Sequence, residues 1–308
     1  MKIITLTLNP AFDIHCKAEG FRHYHENVVE TVSRDAGGKG VNISRALCSV
    51  GCQSTCMVII GDENGEEFCN KLENDGLNIV PIRCKGRIRE NITIHETGSH
   101  ETRISFGGFA VGSSVLEDIE RLIGSANEET VVTFTGSIPP GLDSKDVFEM
   151  LTRLKAQGVK VIVDSRSVSL EELVKLKPWL IKPNKDEIEK YIGRSLNGID
   201  DAVTVARELH SSGIENAMIT LGGDGAVLAN SEGAFYAKPP MVDVLSTIGA
   251  GDSSIAGFVY GFVKGCDTLE KLSFAVAFGT ASCMQEGTKP PNWNEIKNVG
   301  NEVCVFDF

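Results

Sequence analysis

The residue with the clearest chemical setting in the sequence is Asp252, which directly follows Gly249, Ala250 and Gly251. These three residues carry almost no side chain, so their backbone N–H groups stay uncovered. The apolar run after them, SSIAGFVYGFV, predicts a buried helix, and the N-terminus of a helix attracts anions. A phosphoryl group could bind these amides with Asp252 beside it as a general base. The alternative is that Asp252 only caps the helix, since Asp is a favoured N-cap residue.

A second glycine-rich stretch, AGGKGVN at residues 36–42, also leads into a predicted helix and places Lys39 at its start. It is not a Walker phosphate loop, because Gly-Val-Asn follows the lysine where that pattern requires Ser or Thr. It is not a dinucleotide-binding fingerprint either. Taken alone, the stretch is weak evidence of function, because glycine-rich turns are common structural features of α/β proteins.

Composition limits the classes of partner. The chain has 308 residues and a net charge of −12, with 42% hydrophobic and 23% charged residues, which is typical of a soluble globular protein. The negative charge argues against a nucleic acid or an anionic membrane as partner. No run approaches the roughly 18 to 20 apolar residues of a membrane span, and the first residues are typical of an alternating strand rather than a signal peptide. We therefore expect a cytoplasmic protein. An acidic protein that binds an anionic substrate must do so through locally placed cations.

From about residue 115 onward, helical patterns alternate with short apolar runs such as TVVTFTGS, KVIVDS and WLIKPN. This alternation predicts βαβ units and a mostly parallel sheet. The predicted strands end in polar or glycine-rich loops, namely TGSIPPG, DSRS, KPN and LGGDG. Because ligands bind at the carboxyl ends of parallel strands, we expect these loops to share one rim that holds the site.

The first third of the chain has a different pattern, with period-two alternation and hairpin-like breaks such as ETGSHET. It predicts a second, small antiparallel sheet built from about residues 11–35 and about residues 86–110, which would project as a lid over the rim. The alternative is that these strands extend the main sheet.

Taken together, GGKGVNISRALCSVG and STIGAGDSSIAGF resemble the two signatures of the ribokinase-like carbohydrate kinases, the PfkB family. The stretches LTLNPAFDI, GSIPPG, KPNKDE and LGGDGA also match this family in sequence order, so the resemblance covers nearly the whole chain. It implies a single ribokinase-like catalytic domain over residues 1–308, a three-layer α/β/α fold with a mostly parallel central sheet and a small antiparallel lid.

Within the family, the chain resembles the branch of 1-phosphofructokinases and tagatose-6-phosphate kinases. The features that match this branch are TLNPAFD, the lysine of GGKG and the Arg-x-Asn of IRENITI. Relatives that act on unphosphorylated sugars would not need these cations, whereas an acceptor phosphate calls for Lys or Arg partners. Arg103 is a departure, because an acidic residue is usual near this position in the branch. It leaves the choice of sugar phosphate open.

On the acceptor side, the resemblance implies that Asp252 is the catalytic base and that the amides of Gly249, Ala250 and Gly251 hold the transferred phosphoryl group. The residues implied to bind the sugar phosphate are Asp13, Gly38, Lys39, Asn42, Arg89 and Ser137. Asp13 and Asn42 would bind sugar hydroxyls, while Lys39 and Arg89, with Ser137 assisting, would bind the substrate phosphate. Solvated surface cations are the alternative for Lys39 and Arg89.

On the donor side, the resemblance implies a nucleotide site formed by Lys182, Asn184, Thr220, Gly222, Gly223, Gly225, Gly279 and Ser282. Gly279 and Ser282 would line the adenine pocket, although a helix packed by small residues explains them equally well. Asn184 and Glu187 match the N-x-x-E element, which would order the waters around Mg²⁺ rather than bind the ion fully.

The resemblance implies an ATP-dependent, Mg²⁺-dependent conversion of fructose 1-phosphate to fructose 1,6-bisphosphate. Phosphorylation of tagatose 6-phosphate or fructose 6-phosphate is the nearest alternative, and a non-catalytic sugar-phosphate sensor is an alternative from another class. Relatives commonly pair through the lid, so we also expect a homodimer.

Overall fold

The computed structural model describes residues 1–96 and 101–308, so part of the stretch ETGSHET, in which the sequence predicts a hairpin-like break, lies outside the described residues. The strands in these two ranges are β1 (Lys2–Thr7), β2 (Ala11–Ala18), β3 (Glu30–Gly37), β4 (Thr55–Gly61), β5 (Asn78–Cys84), β6 (Arg89–Glu96), β7 (Glu101–Ile104), β8 (Thr130–Thr135), β9 (Lys160–Asp164), β10 (Leu180–Ile181), β11 (Asn216–Thr220), β12 (Ala226–Asn230), β13 (Gly233–Lys238) and β14 (Cys304–Asp307). The α-helices are α1 (Lys39–Cys48), α2 (Gly65–Asn74), α3 (Ser114–Ile123), α4 (Ser144–Ala156), α5 (Leu170–Leu176), α6 (Lys185–Ile192), α7 (Ile199–Ser211), α8 (Ala250–Val263), α9 (Thr268–Cys283) and α10 (Trp293–Gly300).

A large sheet runs through the molecule in the order β14-β13-β12-β11-β10-β9-β8-β1-β4-β5. The strands from β5 to β11 in this order are parallel, and β12, β13 and β14 add antiparallel pairings at one edge. From β1 the chain adds β4 and β5 on one side and β8, β9 and β10 on the other, so the direction of winding reverses beside β1. In an open α/β sheet the ligand crevice lies at such a reversal, outside the carboxyl ends of the strands.

Helices cover both faces of the large sheet, because strands such as β8, with the sequence TVVTFT, are buried on both sides. The core on one face is formed with α3 to α7, and the core on the other face with α1, α2, α8, α9 and α10. The structure thus confirms the predicted three-layer, ribokinase-like α/β fold. None of the helices in the described part of the chain has the length and apolarity that crossing a bilayer requires.

A small four-stranded sheet has the order β3-β2-β6-β7. Strands β2 and β3 pair antiparallel, as do β6 and β7, while β2 and β6 run parallel with Ala11 opposite Arg89. Its strands come from the two segments in which the sequence predicts the lid. The function of this sheet as a lid, and the domain boundaries, stay predictions.

The longest helices, α8 and α9, pack closely because α8 places Gly257 against the backbone of α9. A Cβ atom at Gly257 would overlap the carbonyl group of Phe274, which cannot move without displacing the helix. Since the predicted catalytic residue Asp252 lies in the first turn of α8, this contact also fixes the position of the site.

We predict that Gly257→Ala lowers the free energy of unfolding by about 1–3 kcal/mol, because the added methyl group overpacks a helix–helix contact. Gly300→Ala is a matched control, since a Cβ there meets only Ala277 at an ordinary 3.6 Å. Urea unfolding followed by circular dichroism measures both variants. Equal stabilities of the two would contradict the packing role of Gly257.

Candidate active site

The first turn of α8 forms the centre of the candidate site. Gly249 precedes the helix in a left-handed conformation with φ of 83°, which glycine adopts without strain. In the described part of the chain the amides of Gly249, Gly251 and Asp252 have no backbone acceptor, while the amide of Ala250 makes a long bond of 3.4 Å to the carbonyl of Thr247. Free first-turn amides and the dipole of a 14-residue helix make this a favourable position for an anion.

Asp252 lies in this turn with 5% of its surface exposed. Burial raises the pKa of its carboxyl group to about 6, although Lys39, a hydrogen bond from Asn42 and Lys182 act in the opposite direction. The Nδ2 atom of Asn42 donates to Oδ2 of Asp252 at 2.9 Å, while Oδ1 of Asn42 is buried without a hydrogen-bond partner. A buried carboxylate with a pKa near 6 is ionised at neutral pH and can still accept a proton. It is therefore suited to general base catalysis.

A buried ion network lies beside Asp252. Nζ of Lys39 is 2.8 Å from Oδ2 of Asp164, and Nζ of Lys182 is 3.7 Å from Oδ1 of the same carboxylate. Burial opposes the charge on Asp164, but the two lysines outweigh it and lower its pKa. Burial likewise opposes the charge on Lys39, but Asp164, Asp252 and Glu187 outweigh it and raise its pKa. Lys39, predicted to bind the substrate phosphate, therefore lies charged at this end of the sheet, and Lys182, predicted to bind the nucleotide, lies on the other oxygen of the same carboxylate.

Lys182 lies directly beside the first turn of α8. A Cβ atom on Gly251 would be 2.9 Å from its Nζ atom, so the ammonium group would have to shift if a larger residue stood there. The structure thus brings one predicted donor-side cation together with the predicted phosphoryl-binding amides.

The small sheet contributes Asp13 from β2. Oδ1 of Asp13 accepts hydrogen bonds from Nδ2 of Asn91 at 3.0 Å and from NH2 of Arg103 at 3.4 Å. Gly37, directly before the turn that contains Gly38, lies against the Asp13 carboxylate. Arg103, the departure from the family pattern, thus lies beside a predicted sugar-binding residue.

Arg89 and Ser137 meet through Asn9. Arg89 donates to the carbonyl oxygens of Pro10, Phe106 and Asn9 at 3.3, 2.6 and 3.1 Å. Nδ2 of Asn9 donates to Oγ of Ser137 at 3.0 Å. Three of the five guanidinium N–H groups of Arg89 thus bind backbone, and burial lowers its pKa. The contact of Arg89 with a substrate phosphate stays a prediction, and the two remaining N–H groups of the guanidinium would have to make it.

The predicted nucleotide residues form two groups. Thr220 forms a parallel bridge with Asn184, and the turn carrying Gly222, Gly223 and Gly225 follows directly. Gly279 and Ser282 are buried in α9, where a Cβ atom at Gly279 would overlap Oγ of Ser254. Packing between α8 and α9 accounts for Gly279, and a place in the adenine pocket stays a prediction.

Asn184 and Glu187 cap α6 reciprocally. The side chain of Asn184 accepts from the amide of Glu187 at 2.9 Å, and Oε2 of Glu187 accepts from the amide of Asn184 at 3.1 Å. Oε1 of Glu187 accepts from Nε of Arg166 at 2.8 Å. Since these oxygens are already engaged, they fit the ordering of a hydrated Mg²⁺ better than direct coordination. The described residues contain no cluster of three or more His, Cys, Asp or Glu side chains arranged to hold a metal ion.

The sequence analysis places the end of the strand that carries Asp164 at the rim, but it assigns no role to Asp164 itself. It also assigns no role to Asn9 or Asn91. One sequence feature could have pointed to Asp164. It is an acidic residue at the carboxyl end of a predicted parallel strand, on the same rim as the loops that carry Lys39 and Lys182. Its pairing with both lysines depends on strand order, which these patterns leave undetermined.

Comparison with known proteins supplies the family. The sequence profile of the pfkB family carbohydrate kinases matches residues 7–295. The chain belongs to the PfkB family. It is 34% identical to the 1-phosphofructokinase of Haemophilus influenzae over 92% of this chain and 91% of that protein. It is 32% identical to the 1-phosphofructokinase of Vibrio cholerae over 99% of this chain and 96% of that one.

Solved structures of PfkB kinases agree with this assignment. Escherichia coli phosphofructokinase-2, determined in complex with substrates and products, superposes with a TM-score of 0.92 at 25% identity, covering 98% of this chain and 99% of that one. A possible 1-phosphofructokinase of Thermotoga maritima gives a TM-score of 0.84 at 26% identity over the full length of both chains. The predicted family and the predicted enzyme class, a sugar-phosphate kinase with an alcohol group as acceptor, are confirmed. Membership of this sugar kinase family implies the use of ATP.

We predict that Asp252→Asn stabilises the protein above about pH 6. The folded-state pKa of about 6 exceeds the usual 3.8, so this carboxyl group stabilises the fold below pH 4 and loses that contribution as pH rises through 6. The Asn side chain does not ionise, so the difference in free energy of unfolding should grow between pH 4 and 6 to on the order of 3 kcal/mol and then stay level.

Urea unfolding at several pH values measures this difference. Asp201→Asn is the control of opposite sign, because hydrogen bonds from Arg194 lower the pKa of Asp201 to about 2. Asp201 therefore stabilises the fold at neutral pH, and this contribution is lost as pH falls toward 2. A difference between wild type and Asp252→Asn that does not depend on pH would contradict the raised pKa of Asp252.

Proposed function

We propose that this protein converts fructose 1-phosphate and ATP to fructose 1,6-bisphosphate and ADP. The observation that carries this substrate assignment is the identity of 32–34% to proteins named 1-phosphofructokinase over more than nine-tenths of both chains. An acceptor that already carries a phosphate is consistent with Lys39, which lies charged at the rim with over a third of its side chain exposed.

The acceptor hydroxyl would be held between Asp252 and Asn42. The buried Oδ1 of Asn42, which lacks a partner in the protein, can accept a hydrogen bond from a sugar hydroxyl. Asp13 on the small sheet would bind a second hydroxyl. These contacts would orient the attacking oxygen for in-line displacement.

In the reaction, the sugar oxygen forms a bond to the γ-phosphorus of ATP while the bond from that phosphorus to ADP breaks, and Asp252 takes the proton of the hydroxyl. The amides of Gly249, Ala250 and Gly251, together with the adjacent Lys182, would stabilise the negative charge on the transferred group. Mg²⁺, when bound, would neutralise charge on the ATP phosphates, and Asn184 and Glu187 would order its water shell. Closure of the small sheet would exclude water, which Asp252 could otherwise activate.

A panel of acceptors tests the substrate. ATP consumption is measured with fructose 1-phosphate, fructose 6-phosphate, tagatose 6-phosphate, fructose and no acceptor, and fructose 1-phosphate should give the highest kcat/KM. Asp252→Asn should lower kcat by about 10²- to 10⁴-fold, because the general base is lost. Asp201→Asn, which changes a carboxylate on α7, should match the wild type.

The other outcomes are informative. A higher kcat/KM with tagatose 6-phosphate or fructose 6-phosphate would overturn the substrate assignment and leave the kinase reaction intact. Equal turnover of fructose would contradict the role of Lys39. Binding of a sugar phosphate without turnover of any acceptor would favour a sensor.

We also propose a homodimer formed through the small sheet. Val28, Val32, Ile104 and Phe106 are exposed apolar residues in or beside its strands. Both outer strands, β3 and β7, have one unpaired edge in the described part of the chain. Exposed strand edges with apolar side chains favour pairing with a second copy.

Light scattering after size-exclusion chromatography should give about twice the chain mass of 33.2 kDa. Val32→Asp should yield monomers, because it would bury an unpaired charge in the interface. Leu122→Asp on α3 is the control, as it is also exposed but lies away from the small sheet. A wild-type monomer would overturn this proposal.

A further inference from the structure

Asp164 is a buried carboxylate that contacts two lysines at once. Its side chain is 4% exposed, and it ends β9 at the carboxyl edge of the large sheet. Oδ2 is 2.8 Å from Nζ of Lys39, and Oδ1 is 3.7 Å from Nζ of Lys182. Each carboxylate oxygen thus faces a different lysine.

Strand order brings these three residues together. In the parallel pair of β9 and β10, Val163 lies opposite Ile181, so the next residues, Asp164 and Lys182, follow side by side. Lys39 reaches the same carboxylate from the first residue of α1. Asp164 therefore contacts two cations that come from different elements of the fold.

The two lysines serve different substrates in the proposed reaction. Lys39 is the predicted partner of the sugar phosphate, whereas Lys182 lies beside Gly251, where the transferred phosphoryl group would bind. Neighbouring ammonium groups repel each other, and Lys182 is almost fully buried while Lys39 is partly exposed, so an anion shared between them stabilises both in place.

We propose that Asp164 is a positioning residue that holds Lys39 and Lys182 in their catalytic places and sets the electrostatic environment of Asp252. It does so from a buried place at the strand end, without contacting substrate. The assignment of the lysines to two substrates rests on the proposed function, whereas the effect on Asp252 does not.

The charged and titratable groups around Asp164 come from several elements. They are Lys39 on α1, Lys182 after β10, Arg166 after β9, Glu187 and Tyr191 on α6, and Asp252 on α8. The negative charge of Asp164 raises the pKa of Asp252, and the positive charges of Lys39 and Lys182 lower it. Loss of the Asp164 charge should therefore lower the pKa of Asp252, and loss of the Lys39 charge should raise it.

The direct test is a carbon-13 NMR titration of aspartate carboxyl groups in the full-length protein without substrate. The Asp252 signal is assigned by its absence from Asp252→Asn. In Asp164→Asn, its midpoint should move to lower pH by at least half a unit. In Lys39→Met, it should move to higher pH, and in the double variant it should lie between the two.

Kinetics provide the second readout. The acid limb of the pH profile of kcat/KM should shift in the same directions as the NMR midpoints, and Asp164→Asn should lower kcat at pH 8 by about 10²-fold, as expected for misplaced catalytic groups. A role of Asp164 in folding alone would lower the amount of active protein equally at every pH and leave both the midpoint and the limb unchanged.

Asp201→Asn is the control for replacing a paired carboxylate, and neither readout should change in this variant. If Asp164→Asn does not fold, the double variant is compared with Lys39→Met, and its Asp252 midpoint must be the lower of the two. An Asp252 midpoint that stays unchanged or rises when Asp164 is replaced overturns the proposal. Failure of every acceptor to react, with the NMR shifts as expected, would overturn the proposed function alone.

Discussion

The site depends on the burial of opposite charges at the carboxyl ends of neighbouring strands. Asp164 and Lys182 are almost fully buried, Lys39 is partly buried, and Asp252 lies beside them in α8. Moving a single charge out of water costs several kcal/mol, so these groups are tolerated only because each is compensated by the others. Such a compensated cluster keeps two ammonium groups beside the predicted phosphate positions without leaving an isolated ion in the core.

The same burial that makes Asp252 suited to act as a general base also lowers the stability of the fold at neutral pH. Its raised pKa follows from removing a carboxylate from water, and that removal is unfavourable for the ionised form. Close packing of α8 on α9 through Gly257 supplies the rigidity that keeps the carboxylate in this unfavourable place. A residue selected only for stability would not be ionised there.

The sequence predicts the fold class, the family and the enzyme class, because these depend on local features. The glycine-rich stretches around Lys39 and before Asp252 lie at the starts of helices, and their spacing is visible without a structure. The pairing of Asp164 with Lys39 and Lys182 could not be predicted in this way, since it depends on which strands are neighbours. The parallel pairing of β2 with β6 was missed for the same reason, and period-two patterns do not distinguish parallel from antiparallel neighbours.

The central pair of the small sheet joins Ala11 to Arg89, so β3, α1, β4, α2 and β5 lie between its two strands in the chain. Bringing such distant segments together costs loop-closure entropy, and that cost falls when α1, β4, α2 and β5 already hold their places in the rest of the fold. The small sheet is therefore expected to assemble late in folding. Asp13 and Arg89, both on this sheet, would then reach the rim only after the rest of the enzyme has formed. A partly folded chain could therefore bind a nucleotide without being able to transfer its phosphoryl group.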